Sequence, residues 1–186
     1  MARILVNLTA FNLTALAAAF AAGWLSFFRH GRGAEAGDPT YLLHIFLGLT
    51  AATTTLGVHS LVFIYFLGTG RWVKEVCLAY QIPDEPLPRT TRELKRQAFP
   101  AALAAMLVPI ATSAAGAGVA TLQWSWVYHA TLGVLTLAVN VWAFVREYHC
   151  VRTNAVVIDE VMREVERIRS ERGLPSNEEA LRQQQS

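Results

Sequence analysis

The chain has 186 residues, 53% hydrophobic and only 16% charged, with a formal net charge of +2. So small a charge argues against a nucleic-acid partner, and so little charge argues against an ordinary soluble domain. Its two cysteines, Cys77 and Cys150, are too few for a disulfide scaffold or a thiolate metal cluster.

The apolar residues come in blocks. Ile4 to Phe28, Pro39 to Gly70 and Gln97 to Val145 contain no Asp, Glu, Lys or Arg. A helix needs about 20 apolar residues to cross a bilayer. The first two blocks therefore suit one crossing each, and the third is long enough for two. Its middle, Ala114 to Trp126, is rich in Gly, Ala, Ser and Thr and reads as a tight turn. The prediction is an all-α integral membrane protein, a bundle of four transmembrane helices at about 5–28, 41–68, 99–119 and 124–146. These form a transmembrane domain over 1–148, interrupted by an amphipathic loop at 69–98 and followed by a helical tail at 149–186.

In chain order, the first helix has one Arg3 before its apolar run and small residues near Ala21, a pattern that a cleaved signal peptide also shows. The length of the run and the anchor Trp24 at its far end favour a retained helix. Asn7 and Asn12 are predicted to face the bundle interior. The first loop is short and carries Arg29 and Arg32. The second holds Arg71, Lys74, Arg89, Arg92, Lys95 and Arg96. By the positive-inside rule the second loop and both termini face the cytoplasm, which points to a bacterial-type inner membrane. That reducing side also receives both cysteines, so no disulfide between them is expected.

Trp72, Val73, Val76, Cys77 and Tyr80 recur at helical spacing opposite Arg71, Lys74 and Glu75, as in an amphipathic helix at the membrane surface continuing the second crossing. Pro83, Pro86 and Pro88 end it. Pro100 suits the first turn of the third crossing, and Pro109 interrupts its middle near Thr112 and Ser113. After Arg146, Val151, Ala155, Ile158, Met162 and Val165 make one apolar seam on a charged helix. Gly173 and Pro175 terminate it, Ser176 and Glu179 form a capping box, and QQQS reads as a disordered end. No long internal repeat is apparent. The segments 71–96 and 149–172 are the surfaces expected to hold other subunits, with the lipid bilayer around the bundle.

Histidine is rare inside membrane helices and usually faces the interior. Three are predicted there: His44, His59 and His129. The second and fourth helices run in the same direction, and His44 and His129 each lie a turn or so inside the same end. Two imidazoles at one depth, beside Gly48 and Gly133, match bis-histidine ligation of a haem iron in a helical bundle, with the glycines giving the porphyrin edge room. The bland alternative is a pair of interfacial histidines bonded to backbone, water or lipid. His59 follows His44 by fifteen residues, about 22 Å along the helix. Met106 is at a compatible depth to complete a His/Met pair with it. The other uses open to His59 are a hydrogen bond to a helix neighbour or to a quinone carbonyl. Asn140 is expected to tie helices together. No catalytic triad, phosphate loop, zinc pattern or covalent-haem motif is present, and every Asp, Glu, Lys and Arg is placed outside the spans.

Several helices, interior histidines and no large soluble domain make the architecture similar to the small b-type cytochrome membrane subunits that anchor respiratory oxidoreductases. In larger cytochromes b, both ligand helices carry a pair of histidines, whereas here only the second helix does. The resemblance implies haem b held by His44 and His129, with a quinone or a second centre as further acceptor. The reading is then an electron-transfer subunit of a larger redox complex rather than a stand-alone enzyme. The competing expectation is a cofactor-free structural or assembly subunit whose polar residues only fasten helices.

Overall fold

The computed structural model describes residues 1–31, 37–176, 179–180 and 182. Four helices account for the fold among them: α1 (Ala2–His30), α2 (Pro39–Tyr80), α3 (Leu87–Leu122) and α4 (Trp126–Glu171). All four are long and apolar enough to cross a membrane.

The helices run well past the limits that charge alone suggests. α2 has 42 residues and α4 has 46. At ~1.5 Å per residue these span about 63 and 69 Å, twice the ~30 Å of a hydrocarbon core. Within the 69–98 loop the expected helical continuation of the second crossing is present: 69–80 continues α2 and 87–98 opens α3, leaving only 81–86 between them. Gln81 closes α2 in the left-handed conformation, and the Ile82 N–H donates to the Cys77 carbonyl at 2.8 Å. Pro100 consequently lies inside α3 and not in its first turn. The tail likewise continues α4 without a break. Charge marks where a membrane ends, and a helix has no physical reason to end there too.

At the other end of the bundle α3 continues to Leu122, so the small residues read as a turn are helical, and only 123–125 link α3 to α4. Gly118 allows the reversal. The Trp124 ring folds back over it, and a Cβ there would lie 2.4 Å from the indole. Beyond α4, Ser176 and Glu179 exchange backbone-to-side-chain bonds of 2.9 and 3.2 Å, a reciprocal capping box. The QQQS end and Arg32 lie outside the described residues.

α1 and α2 form one hairpin and α3 and α4 another, with α2 also packed on α3. α2 and α4 are parallel neighbours with a repeated register at a spacing of 85 residues. Ala51, Thr55, Val58, His59, Val62 and Phe66 are buried in α2; Thr136, Ala143 and Val151 are buried at the matching places in α4, with Asn140, Phe144 and Glu147. Two of the contacts between the helices join residues 85 apart, His44 with His129 and Thr69 with Asn154. The sequences differ enough at these positions to hide the repeat from direct reading. Beyond the apolar spans the same two helices stay together through Val73 and Cys77 on one side and Val157, Val161 and Val165 on the other. Both cysteines are buried free thiols.

Polar side chains fasten the interior. Asn12 is fully buried, and its Oδ1 accepts from the Thr54 and Thr55 hydroxyls at 2.8 and 3.0 Å, whereas Asn7 is exposed. Pro109 has no N–H to give the Ala105 carbonyl four residues earlier. Asn140 Nδ2 donates to that carbonyl instead at 3.5 Å, which ties α4 to α3.

At the start of α2, Asp38 accepts from the Thr40 and Tyr41 N–H groups at 2.9 Å each, and also from the Thr40 hydroxyl. His30 at the end of α1 meets it at 2.8 Å. The Thr40 hydroxyl, then the Tyr41 N–H, hold the Asp38 carboxyl below its ordinary value. A depressed carboxyl stabilises the fold above its unfolded pKa, and that contribution is lost as pH falls through the folded value. Asp38→Ala is accordingly expected to lower the melting temperature at neutral pH. In melts run from pH 7 downwards, the gap from wild type should narrow once the carboxyl range is passed.

Candidate functional site: two facing histidines

His44 on α2 and His129 on α4 are brought together at one end of the bundle. Their Nε2 atoms are 3.5 Å apart and their ring centres 5.7 Å apart, with planes crossed at 77°. A five-membered ring with bonds of about 1.33 Å has a radius of about 1.1 Å. The two nitrogens therefore lie close to the line joining the ring centres, and the imidazoles meet head-on.

Each ring is fixed from behind by the other helix of its hairpin. His44 Nδ1 donates to the Ala19 carbonyl of α1 at 2.8 Å, and His129 Nδ1 donates to the Thr112 carbonyl of α3 at 2.9 Å. Four residues after each carbonyl comes a glycine, Gly23 or Gly116. A Cβ on either would stand 2.9 Å from the nearer imidazole carbon. The two hairpins thus build the same socket twice: a carbonyl to hold the ring and, one turn on, a glycine against which the ring lies. A methyl group there should push the ring aside at a cost of about 1–3 kcal/mol. Gly23→Ala and Gly116→Ala are expected to lower thermal stability in detergent. Gly48→Ala, where nothing lies within 4 Å of the added carbon, should not.

A carbonyl oxygen can only accept, so both Nδ1 atoms carry the proton, and in neutral imidazole the other nitrogen is then a bare acceptor. Two lone pairs face each other across 3.5 Å. This arrangement calls for an electrophile between them, either a shared proton or a metal ion. Among the described residues no group of three or more His, Cys, Asp or Glu side chains could hold a metal. An ion preferring four or six ligands would have to bring its remaining donors with it, as haem iron does. Two iron–imidazole bonds of about 2 Å in line need nitrogens about 4 Å apart, close to the observed 3.5 Å.

The surroundings are asymmetric. One turn from His44, Gly48 borders open space, whereas one turn from His129, Gly133 is covered by the Phe20 ring, 3.3 Å from the place of a Cβ. Toward the near end of the bundle Trp24, Phe27 and Trp126 form an aromatic cluster, with ring centres 4.8 to 6.1 Å apart.

His59 is engaged elsewhere. It is fully buried, with Nδ1 at 2.6 Å from Glu147 Oε1 and Nε2 at 3.1 Å from Asn140 Oδ1, and it stacks on Phe144 with centres 4.7 Å apart. Both ring nitrogens are taken, which leaves none for iron or for a quinone carbonyl. The His59–Met106 pairing fails at its histidine end, and Met106 is a half-buried side chain of α3.

Glu147, one residue past the predicted fourth span, is buried inside the bundle although charged residues around it are exposed: its side chain is 0% exposed. It lies eighteen residues after His129, five full helical turns, and so shares its face. That spacing was the available signal for it. The carbonyls of Ala19 and Thr112 leave no mark in side-chain patterns; Gly23 and Gly116 do, as glycines four residues after them.

No protein family, curated protein or solved structure matches this chain.

Proposed function

We propose that the protein is a membrane-embedded b-type haem-binding electron-transfer subunit, with His44 and His129 as the axial ligands of one haem. One observation carries this reading: two Nε2 lone pairs, fixed by carbonyls behind their rings, face each other in line. Bound haem would supply a one-electron couple, and the chain's own residues would position and enclose it. Gly48 offers the open side for a flat ligand.

One haem site near one end of the bundle does not carry an electron across it. A quinone or another subunit is the further acceptor in this reading. Partner subunits would dock on 71–96 and 149–172, where α2, α3 and α4 project beyond their apolar spans. Those projections carry the basic residues of the second loop and tail. The positive-inside rule then gives cytoplasmic N- and C-termini in a bacterial-type inner membrane.

The second reading is a cofactor-free structural subunit, favoured by the number of interior polar groups that do nothing but join helices, such as Asn12 with Thr55 and Thr112 with Thr136. In that case a proton lies between His44 and His129. Optical spectra of detergent-purified protein from haem-replete cells, oxidised and dithionite-reduced, decide between them. A Soret band that shifts on reduction is expected. A colourless preparation would leave the structural reading.

A further inference from the structure

The His59–Glu147 pair is not needed for the site above, and its hydrogen bonds specify where protons must be. Asn140 Nδ2 donates to the Thr136 carbonyl at 2.9 Å, which turns Asn140 Oδ1 toward His59. An amide oxygen only accepts, so His59 Nε2 carries a proton. Nδ1 is then either the bare nitrogen of a neutral ring or the second N–H of a cation. In both cases one proton lies in the 2.6 Å contact between Nδ1 and Glu147 Oε1. It belongs to a neutral acid facing a neutral ring, or to an imidazolium facing a carboxylate.

The second carboxyl oxygen decides between these. Glu147 Oε2 is buried and has no hydrogen-bond partner. A carboxylate with one oxygen bare in an apolar interior is strongly disfavoured, and moving the shared proton onto the carboxyl removes both charges at once. The neighbours offer no alternative counter-charge within the core. α1 and α3 contribute Leu5, Leu94 and Ala98 to the surrounding cluster, and α2 contributes Val62 and Phe66 with Tyr65 at its edge. α4 contributes Phe144 and the thiol of Cys150, which Arg146 approaches from the exposed side.

Arg146, Tyr148, His149 and Arg152 are all exposed, so Glu147 points inward at the level where the helix becomes polar. A proton arriving at Oε2 leaves the shared one on Nδ1, an imidazolium beside a neutral acid, and rotation of the carboxyl lets either proton return to water from Oε2.

We propose that Glu147 and His59 form a proton-binding site inside the bundle, holding one proton between Oε1 and Nδ1 and exchanging it with water. The proposal does not depend on haem. The step conserves atoms and charge: one proton enters from water at the carboxyl and one returns to water from it, with no change of oxidation state.

Infrared difference spectroscopy of the full-length protein in detergent tests it. Wild type at pH 7 should show the C=O band of a protonated carboxyl, which exposed acids lack at that pH. The band should be lost in Glu147→Gln, and in wild type it should shift on transfer to D2O without unfolding. The D2O measurement needs no variant, so a poorly folding mutant does not remove the test. Absence of the band in wild type at pH 7 would mean a fixed ion pair and overturn the proposal. So would a band that survives Glu147→Gln, or one that shifts only on denaturation.

Discussion

In the haem reading, replacing His129 or His44 by Ala is expected to abolish the b-type spectrum of the purified protein. The remaining histidine would stay bonded to its carbonyl with Nε2 aimed at an empty position, and neither α3 nor α1 offers a replacement donor there. Losing a group that merely orients a ligand costs about 10–100-fold in metal affinity. Losing one of two axial ligands should exceed that, enough for haem to dissociate during purification. Added imidazole should partly restore the spectrum in His129→Ala, because the truncation leaves a space of imidazole size. Each variant also strands one carbonyl, of Ala19 or Thr112, at about 1–3 kcal/mol, so helix content by circular dichroism is measured beside the spectrum. A spectrum unchanged in both variants would mean that any bound chromophore lies elsewhere.

The second large effect concerns stability. Removing one partner of a buried neutral hydrogen-bonded pair typically costs about 1–3 kcal/mol, because the other is left unsatisfied. Glu147→Ala would strand His59 Nδ1, and His59→Ala would strand both Glu147 Oε1 and Asn140 Oδ1 while opening a cavity against Phe144. Each single variant is expected to fall in that range. The double variant should cost less than their sum, with a coupling of about 1–3 kcal/mol, since the second truncation removes a group that the first had already left unpaired. Denaturation midpoints of the four proteins in one detergent measure this. Additive losses would show that the two side chains contribute separately.

The four long apolar helices and the meeting of His44 with His129 were legible in the sequence, because each rests on information that side chains carry. Apolar blocks mark the helices, and equal distances from helix ends put two histidines at one depth. What it withheld depends on backbone and on rotation. The carbonyls of Ala19 and Thr112 belong to no side-chain pattern. His59 was read by depth alone, which suggested Met106. Its rotational position turns it toward Asn140 and Glu147 instead. Glu147 was placed outside the spans with every other charged residue, although a helix turns successive residues about 100° apart and so can bury one beside an exposed neighbour. The helical continuations of the second and fourth crossings were legible too, because the amphipathic pattern beyond each span keeps helical spacing.

That continuity has a mechanical consequence. One uninterrupted helix, α4, carries His129, Asn140, Glu147 and the seam to Val165, a distance of about 54 Å from the first to the last at ~1.5 Å per residue. A helix of this kind bends only gently unless proline, a bulge or an inserted group breaks it, and α4 contains no proline. It can act as a lever. Torque applied where α4 stands clear of the apolar span would reach the carboxyl and the facing imidazoles as one rotation, with α2, joined to it by the valine seam, as the companion arm.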